Sequence, residues 1–284
     1  MFQDGDTDNS SYVDQSTAIN TKLITFDSKT GNPVWGVDTT RNYTLYQDRG
    51  RPSIRIESKD TWTHGLFVAD IKHMPGAACG VWPAFWTLGS GTWPANGEID
   101  ILEQVNLATN NQVVLHTSDN CTMTSGEALS PIVDVNTKKA GSGNCAVPYS
   151  SSGCPVQASV PDNYGDAFNK NGGGYYVMQW TGDFIKVWFF SRATVSSTVK
   201  STLQDEFPDV SKLGTPQAAF LGNPGCDVDS HFKEHRMVFD TTFCGDWAGN
   251  AYPTDGSCPL VPGKKTFESC AMYVGANPSA FKES

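Results

Sequence analysis

Three carboxylic acids fall within the run Gly97-Glu98-Ile99-Asp100-Ile101-Leu102-Glu103, and the residues between them are all apolar. Leaving an ionised carboxylate in apolar surroundings is costly unless it is paired or put to use. Paired carboxyls have one well-defined use on sugars: one attacks the anomeric carbon while the other first donates and then accepts a proton, at a separation of roughly 5 to 5.5 Å. A third carboxyl beside them keeps their protonation states apart, because a nearby anion raises the pKa of an acid that must stay protonated. Clustered carboxylates also suit a hard cation, but strand-like spacing lacks the loop carbonyls that calcium sites use. No metal and no organic cofactor is therefore expected.

The spacing constrains the element that carries these acids. Residues two apart on a strand share a face, so Glu98 and Asp100 point the same way and Glu103 has the wrong parity. One extra residue, a β-bulge near Ile101 or Leu102, puts all three on one face, and bulges are over-represented beside active sites. Glu98 and Glu103 are then effectively four positions apart, about 13 Å between Cα atoms at roughly 3.3 Å per residue. Side chains leaning together from there bring their carboxyls to about 5 to 6 Å, near the separation a retaining glycosidase needs. Trp82, Phe85, Trp86 and Trp93 crowd the approach to this strand, which argues against a merely solvated acidic face.

Short runs of β-branched and aromatic residues recur between Gly, Pro, Asn and Asp clusters, a pattern that reads as all-β. Expected strands are Ser53 to Ser58, Gly65 to Ile71, Ala84 to Leu88, Glu98 to Val105, Gln112 to Thr117, Tyr175 to Trp180, Phe184 to Phe190 and Arg236 to Asp240. In the first, Ser53, Arg55 and Glu57 form a polar, wet face, and Ile54 and Ile56 a dry one. Strands this numerous suggest two antiparallel sheets packed face to face. From Thr122 to Gly174 the composition shifts to Ser, Gly, Asn and Pro, which reads as a long loop region tied by disulfides. Phe267 to Ala276 is the best helix candidate. Neither a repeat nor a linker divides the chain, so residues 1–284 are expected to form a single domain.

The chain has 284 residues and a net charge of -10, which argues against a nucleic-acid partner, whose phosphates demand Lys and Arg in excess. No apolar run reaches the roughly 18 residues of a membrane span, and no membrane partner is expected. The 8 cysteines are scattered without paired zinc-type spacing. Disulfides in an oxidising compartment are the simpler reading, with the pairing left open. Sequons at Asn9, Asn42 and Asn120 agree with a secreted glycoprotein. The start, Met1-Phe2-Gln3-Asp4-Gly5-Asp6, has neither the basic nor the apolar part of a signal peptide, so a signal is expected to be absent or already removed.

The Glu-Ile-Asp-Ile-Leu-Glu run, preceded by Trp82-Pro83-Ala84-Phe85-Trp86 and followed by Leu115-His116-Thr117, resembles glycoside hydrolase family 16, in its fungal endo-1,3(4)-β-glucanase (laminarinase) branch. Gly65-Leu66-Phe67-Val68, His73-Met74-Pro75, Val187-Trp188-Phe189-Phe190 and Thr242-Phe243-Cys244-Gly245-Asp246-Trp247-Ala248-Gly249 carry the resemblance through most of the chain. The resemblance implies a concanavalin-like β-jelly-roll sandwich with a substrate cleft across its concave sheet. It implies a secreted, monomeric enzyme that hydrolyses β-1,3 or mixed β-1,3/1,4-glucan with retention. By position Glu98 would be the nucleophile, Glu103 the general acid/base and Asp100 their assistant, roles that spacing alone does not separate. His116 matches the histidine beside these acids, and Trp86, Trp93 and Trp247 match cleft tryptophans, which suit the apolar faces of sugar rings. Arg55 is a candidate for a sugar hydroxyl, with a paired surface charge as the alternative. Trp35, Trp62, Trp180 and Trp188 are expected to pack.

The chain departs from that pattern at Gln179-Trp180, where Glu-Trp is usual, and at Leu213-Gly214-Thr215-Pro216, where Trp-Gly-Thr-Pro is usual. Both ends look short of the terminal strands of related chains. A non-catalytic β-glucan-binding protein on the same sandwich, and a transglycosylase, are the competing functions.

Overall fold

The computed structural model describes residues 10–133, 141–147 and 152–284. The Met1–Asp6 start, the Asn9 sequon and parts of the long Thr122 to Gly174 stretch lie outside the described residues. Asn42 and Asn120 are both exposed.

Two antiparallel sheets make the framework. One has 6 strands in the order Cys154–Gln157, Gln112–His116, Glu98–Glu103, Val81–Leu88, Arg236–Phe243 and Arg55–Glu57. The other has 5, in the order Thr124–Ser125, Ala218–Leu221, Phe184–Ser191, Gly174–Trp180 and Gly65–Ile71. Alternation decides what lies between them. Phe85, Ile99, Val113 and Leu115 from the larger sheet meet Tyr176, Met178, Trp180, Ile185, Val187 and Phe189 from the smaller in one buried cluster. The opposite parity of the smaller sheet, with Val177 and Trp188, packs against Leu213 and the short helix Ser197–Leu203. Of the two family departures, Gln179 lies on the sheet that does not carry the acids and Leu213, in the turn Val210–Leu213, packs against that sheet.

Three disulfides join more distant segments, Cys79–Cys258, Cys121–Cys226 and Cys244–Cys270, and Cys145–Cys154 closes a short local loop. Cys244–Cys270 anchors the helix Thr266–Ala276, within a residue of its expected start, in a second buried cluster that holds Cys79–Cys258 with Val81, Phe243, Tyr252 and Phe281.

Two expectations need correcting. The Ser-, Gly- and Pro-rich stretch from Thr122 to Gly174 is not all loop. It supplies the edge strand Cys154–Gln157 and the short helix Gly165–Lys170. Four residues including Pro155 show no periodicity; the Cys145 bridge and pairing with Gln112–His116 hold them in place. The polar face of Arg55–Glu57 is also not wet, since Ser53, Arg55 and Glu57 are 0%, 8% and 8% exposed. It is covered and lies next to other charged groups, with Arg55 paired to Glu57 and near Asp240. Of the tryptophans expected to pack, Trp180 and Trp188 are buried and Trp35 packs edge-on against Phe239, whereas Trp62 keeps 36% exposure beside Phe67.

Candidate active site

The strand Glu98–Glu103 contains the extra residue that parity demanded. Asp100 pairs with Val114 and Glu103 with Gln112, so three steps on this strand match two on its neighbour. On the other side Leu102 pairs with Phe85 and Asp100 with Trp86, which leaves Ile101 as the inserted residue. Glu98, Asp100 and Glu103 thereby share the face turned away from the core. A bulge leaves backbone groups outside the ladder, and buried groups of that kind need other partners. Asn111, fully buried, supplies them: its Oδ1 accepts from the Glu103 amide at 2.8 Å and its Nδ2 donates to the Ile101 carbonyl at 2.8 Å.

Register extends this face across the sheet. Trp86 stands beside Asp100, Ala84 beside Glu103 and His116 beside Glu98, while Asp240 pairs with both Ala84 and Arg55. Asp100 and Asp240 are only 2% and 7% exposed. Charged residues this enclosed mark the floor of a cleft rather than a solvated surface.

Each glutamate has its own indole. Trp93 Nε1 donates to Glu98 Oε2 at 2.8 Å, and Trp82 Nε1 donates to Glu103 Oε1 at 2.7 Å. His116 Nε2 lies 3.2 Å from Asp100 Oδ2 and 3.9 Å from Glu98 Oε1. Asp100 Oδ2 is near the imidazole but off its N–H direction, and it forms no hydrogen bond among the described residues. The Trp93 loop enters the strand through Gly97, whose φ is +79° and where a Cβ would lie 2.5 Å from the His231 carbonyl. Another glycine, Gly153 at φ +58°, lets the backbone approach His116 so closely that a Cβ would come within 2.8 Å of its Nδ1.

Electrostatics separates the acids. Burial raises the pKa of all three. Glu98 is pushed up to about 8 by burial and by Asp100, with His116, the Trp93 indole and Arg55 pulling back. Burial and Asp100 hold Glu103 well above the usual carboxylate range despite the Trp82 hydrogen bond. Burial and Asp240 do the same to Asp100. Burial and mutual repulsion therefore oppose simultaneous ionisation of the three acids and hold protons among them.

Other residues singled out by sequence fall into place around this centre. Trp86 lies on the cleft face with the Arg55 guanidinium 4.8 Å from its ring centre and its Nε1 3.2 Å from Asp240 Oδ2. Arg55 donates through Nε and Nη2 to Glu57 Oε1, at 3.1 and 3.0 Å, and its Nη1 lies 3.8 Å from Asp240. It is a buried, paired charge. Trp93 is 48% exposed and open to a ligand. Trp247, on the turn Gly245–Gly249, packs edge-on against Trp82 at 5.7 Å. That turn is tied to the acid strand by Asn106, which donates to the Ala248 carbonyl at 3.0 Å.

Sequence reasoning missed four participants: Trp82, Asn111, Gly153 and Asp240. Trp82 was within reach, since it shares strand parity with Trp86, which was already assigned to this face. The other three gave no sequence signal.

Two antiparallel sheets with an acid trio on a bulged inner strand and indoles on both sides define a concanavalin-type jelly roll built around a carboxylate centre. The chain belongs to glycoside hydrolase family 16: the model of the XgeA-like, catalytic GH16 domain matches residues 2–284. It is 43% identical over 273 residues to a probable endo-1,3(4)-β-glucanase of Aspergillus niger, covering 96% of this chain and 34% of that protein. It is 41% identical over 272 residues to the endo-1,3(4)-β-glucanase xgeA of Emericella nidulans, covering 95% of this chain and 40% of that one. The chain thus spans well under half the length of these relatives. Among solved structures, an elongating GH family 16 β-1,3-glucosyltransferase superposes with a TM-score of 0.87 at 44% identity, covering 99% of this chain and 90% of that one. Laminarinase 16A from Phanerochaete chrysosporium, with β-glucans in donor and acceptor sites, gives 0.83 at 38% identity, covering 97% and 87%.

Proposed function

We propose that residues 1–284 act as one catalytic domain that cleaves β-1,3 or mixed β-1,3/1,4-glucan by double displacement with retention, as a secreted protein. The observation that carries this is the bulged strand, which aligns three acids on one face, where burial raises the proton affinity of each. Glu98, which has His116 Nε2 at 3.9 Å and accepts a hydrogen bond from the Trp93 indole, attacks the anomeric carbon. Glu103 gives its proton to the departing glycosidic oxygen, and the covalent glycosyl-enzyme remains. Glu103 then takes a proton from water as the water attacks the same carbon, which frees Glu98 and restores Glu103. Protonated Asp100 disfavours the negative charge on Glu98 less than a charged Asp100 would. Trp86, Trp93 and Trp247 offer faces for sugar rings, His116 and Arg55 flank the reacting centre, and monomeric action suffices. Four disulfides support an oxidising compartment.

A second reading has a specific observation behind it. The elongating glucosyltransferase is 44% identical, so a sugar hydroxyl in place of water at the second step is the main alternative fate of the intermediate. Incubation with laminarin and lichenan, followed by product sizing, separates the two: shorter products mean hydrolysis and longer ones transfer. Glu98→Gly and Glu103→Ala should each abolish turnover. With azide, the first should yield a glycosyl azide of inverted and the second of retained configuration. Native turnover by either variant would overturn the assignment, and binding without turnover by the native protein would leave a glucan-binding role.

A further inference from the structure

Asp100 Oδ2 is buried and lacks a hydrogen bond among the described residues, yet it faces an imidazole nitrogen and a second carboxylate. Glu98, Asp100 and His116 each offer one ligand atom, and these atoms all lie within 4.8 Å of one another. The closest pair, His116 Nε2 and Asp100 Oδ2, are 3.2 Å apart, and His116 Nε2 and Glu98 Oε1 are 3.9 Å apart. Zinc bonds of about 2.0 to 2.2 Å to nitrogen and oxygen in a tetrahedron place ligand atoms roughly 3.3 to 3.5 Å apart. The His116–Asp100 edge already fits, and a small swing of the long Glu98 side chain brings in the third ligand.

We propose that Glu98, Asp100 and His116 form a binding site for a borderline divalent cation of the zinc type, and that its occupation shuts the cleft off. The donor set selects the class. One imidazole nitrogen with two carboxylates suits zinc, whereas calcium and magnesium demand more oxygen ligands and take no imidazole. Three protein ligands leave one tetrahedral position open towards the cleft, for water or a sugar hydroxyl. Asp240 adds a carboxyl group beside Asp100, and the guanidinium of Arg55 is already paired with Glu57 and Asp240. Other candidates among the described residues are weaker. The sulfurs near His231 are locked in the Cys121–Cys226 bridge. The exposed pairs His64–Asp229 and His73–Glu283 each offer two ligands.

A cation on Glu98 withdraws the lone pair that would attack the sugar, so zinc, protons and glucan compete for one carboxylate. The effect on turnover rests on the reading of Glu98 as nucleophile; binding itself does not. Calorimetric titration of the full chain with zinc chloride, without glucan, should show one site with release of protons. Asp100→Asn and His116→Gln should each weaken it at least tenfold. Glu103→Gln and a His64→Ala/His73→Ala double variant should bind zinc as the native chain does, which separates this site from the general acid and from the surface pairs. Zinc should also inhibit laminarin turnover by the native chain, with recovery on adding EDTA. Absence of binding up to about 1 mM, or unchanged affinity in folded Asp100→Asn and His116→Gln, overturns the site. Zinc bound at this site with turnover unaffected overturns the role of Glu98 and leaves the site standing.

Discussion

Removing the Asn111 side chain tests whether one buried amide holds the catalytic bulge in place. Asn111 is fully buried and serves both backbone groups that the bulge detaches, the Glu103 N–H and the Ile101 carbonyl, each at 2.8 Å. In Asn111→Ala both lose their partner in a place water does not easily reach. An unsatisfied buried polar group costs about 1 to 3 kcal/mol, so the loss should be about 2 to 5 kcal/mol. For 284 residues, with an unfolding entropy of about 2.1 cal/mol/K per residue, that lowers Tm by roughly 3 to 8 °C. The damage should also reach the chemistry, because Glu103 itself carries one of the freed groups. A misplacement near 1 Å can cost on the order of a hundredfold in rate. Asn111→Asp sharpens the test: it keeps the acceptor for the Glu103 amide but sets an oxygen against the Ile101 carbonyl, so an isosteric change should do no better than alanine. Thermal unfolding, with laminarin turnover measured well below the transition, reads both effects. Stability within about 0.5 kcal/mol of native together with full turnover in Asn111→Ala would refute the reasoning, and the bulge would then be held by the core contacts of Ile101 and Leu102.

Glu98→Gln should change stability in a pH-dependent way. The native carboxyl, pushed up to about 8, holds its proton more tightly folded than unfolded, so its contribution is fully present below about 4.5 and is lost as pH rises through 8. The variant should therefore match native stability at pH 5 and exceed it at pH 9, with a ceiling of about 5 kcal/mol; parallel melting curves across that range would contradict the crowding of charge around Glu98. Gly153→Ala places a Cβ 2.3 Å from the Leu115 carbonyl and 2.8 Å from His116 Nδ1, at a φ of +58°. It should destabilise the chain by about 1 to 3 kcal/mol and lower kcat by displacing His116, and native kinetics in a folded variant would show that His116 does not depend on this approach.

Strand parity and the acid spacing made the six-residue core of the site readable in advance. Alternating side chains are a local property, so an odd separation between Asp100 and Glu103 required an insertion, which the register shift at Ile101 supplies. The all-β class and the two-sheet packing followed from the same periodicity. The cysteines announced disulfides but not their partners, since bridges such as Cys79–Cys258 span 179 residues. Tertiary structure alone decided that Trp82 serves Glu103, that Asn111 fastens the bulge, and that Arg55 lies buried against Trp86 and Glu57. Such contacts depend on which strands become neighbours across the sheet. The raised proton affinities of Glu98, Asp100 and Glu103 had the same origin, because burial and the charges of Asp240, Arg55 and His116 act only once distant strands have come together.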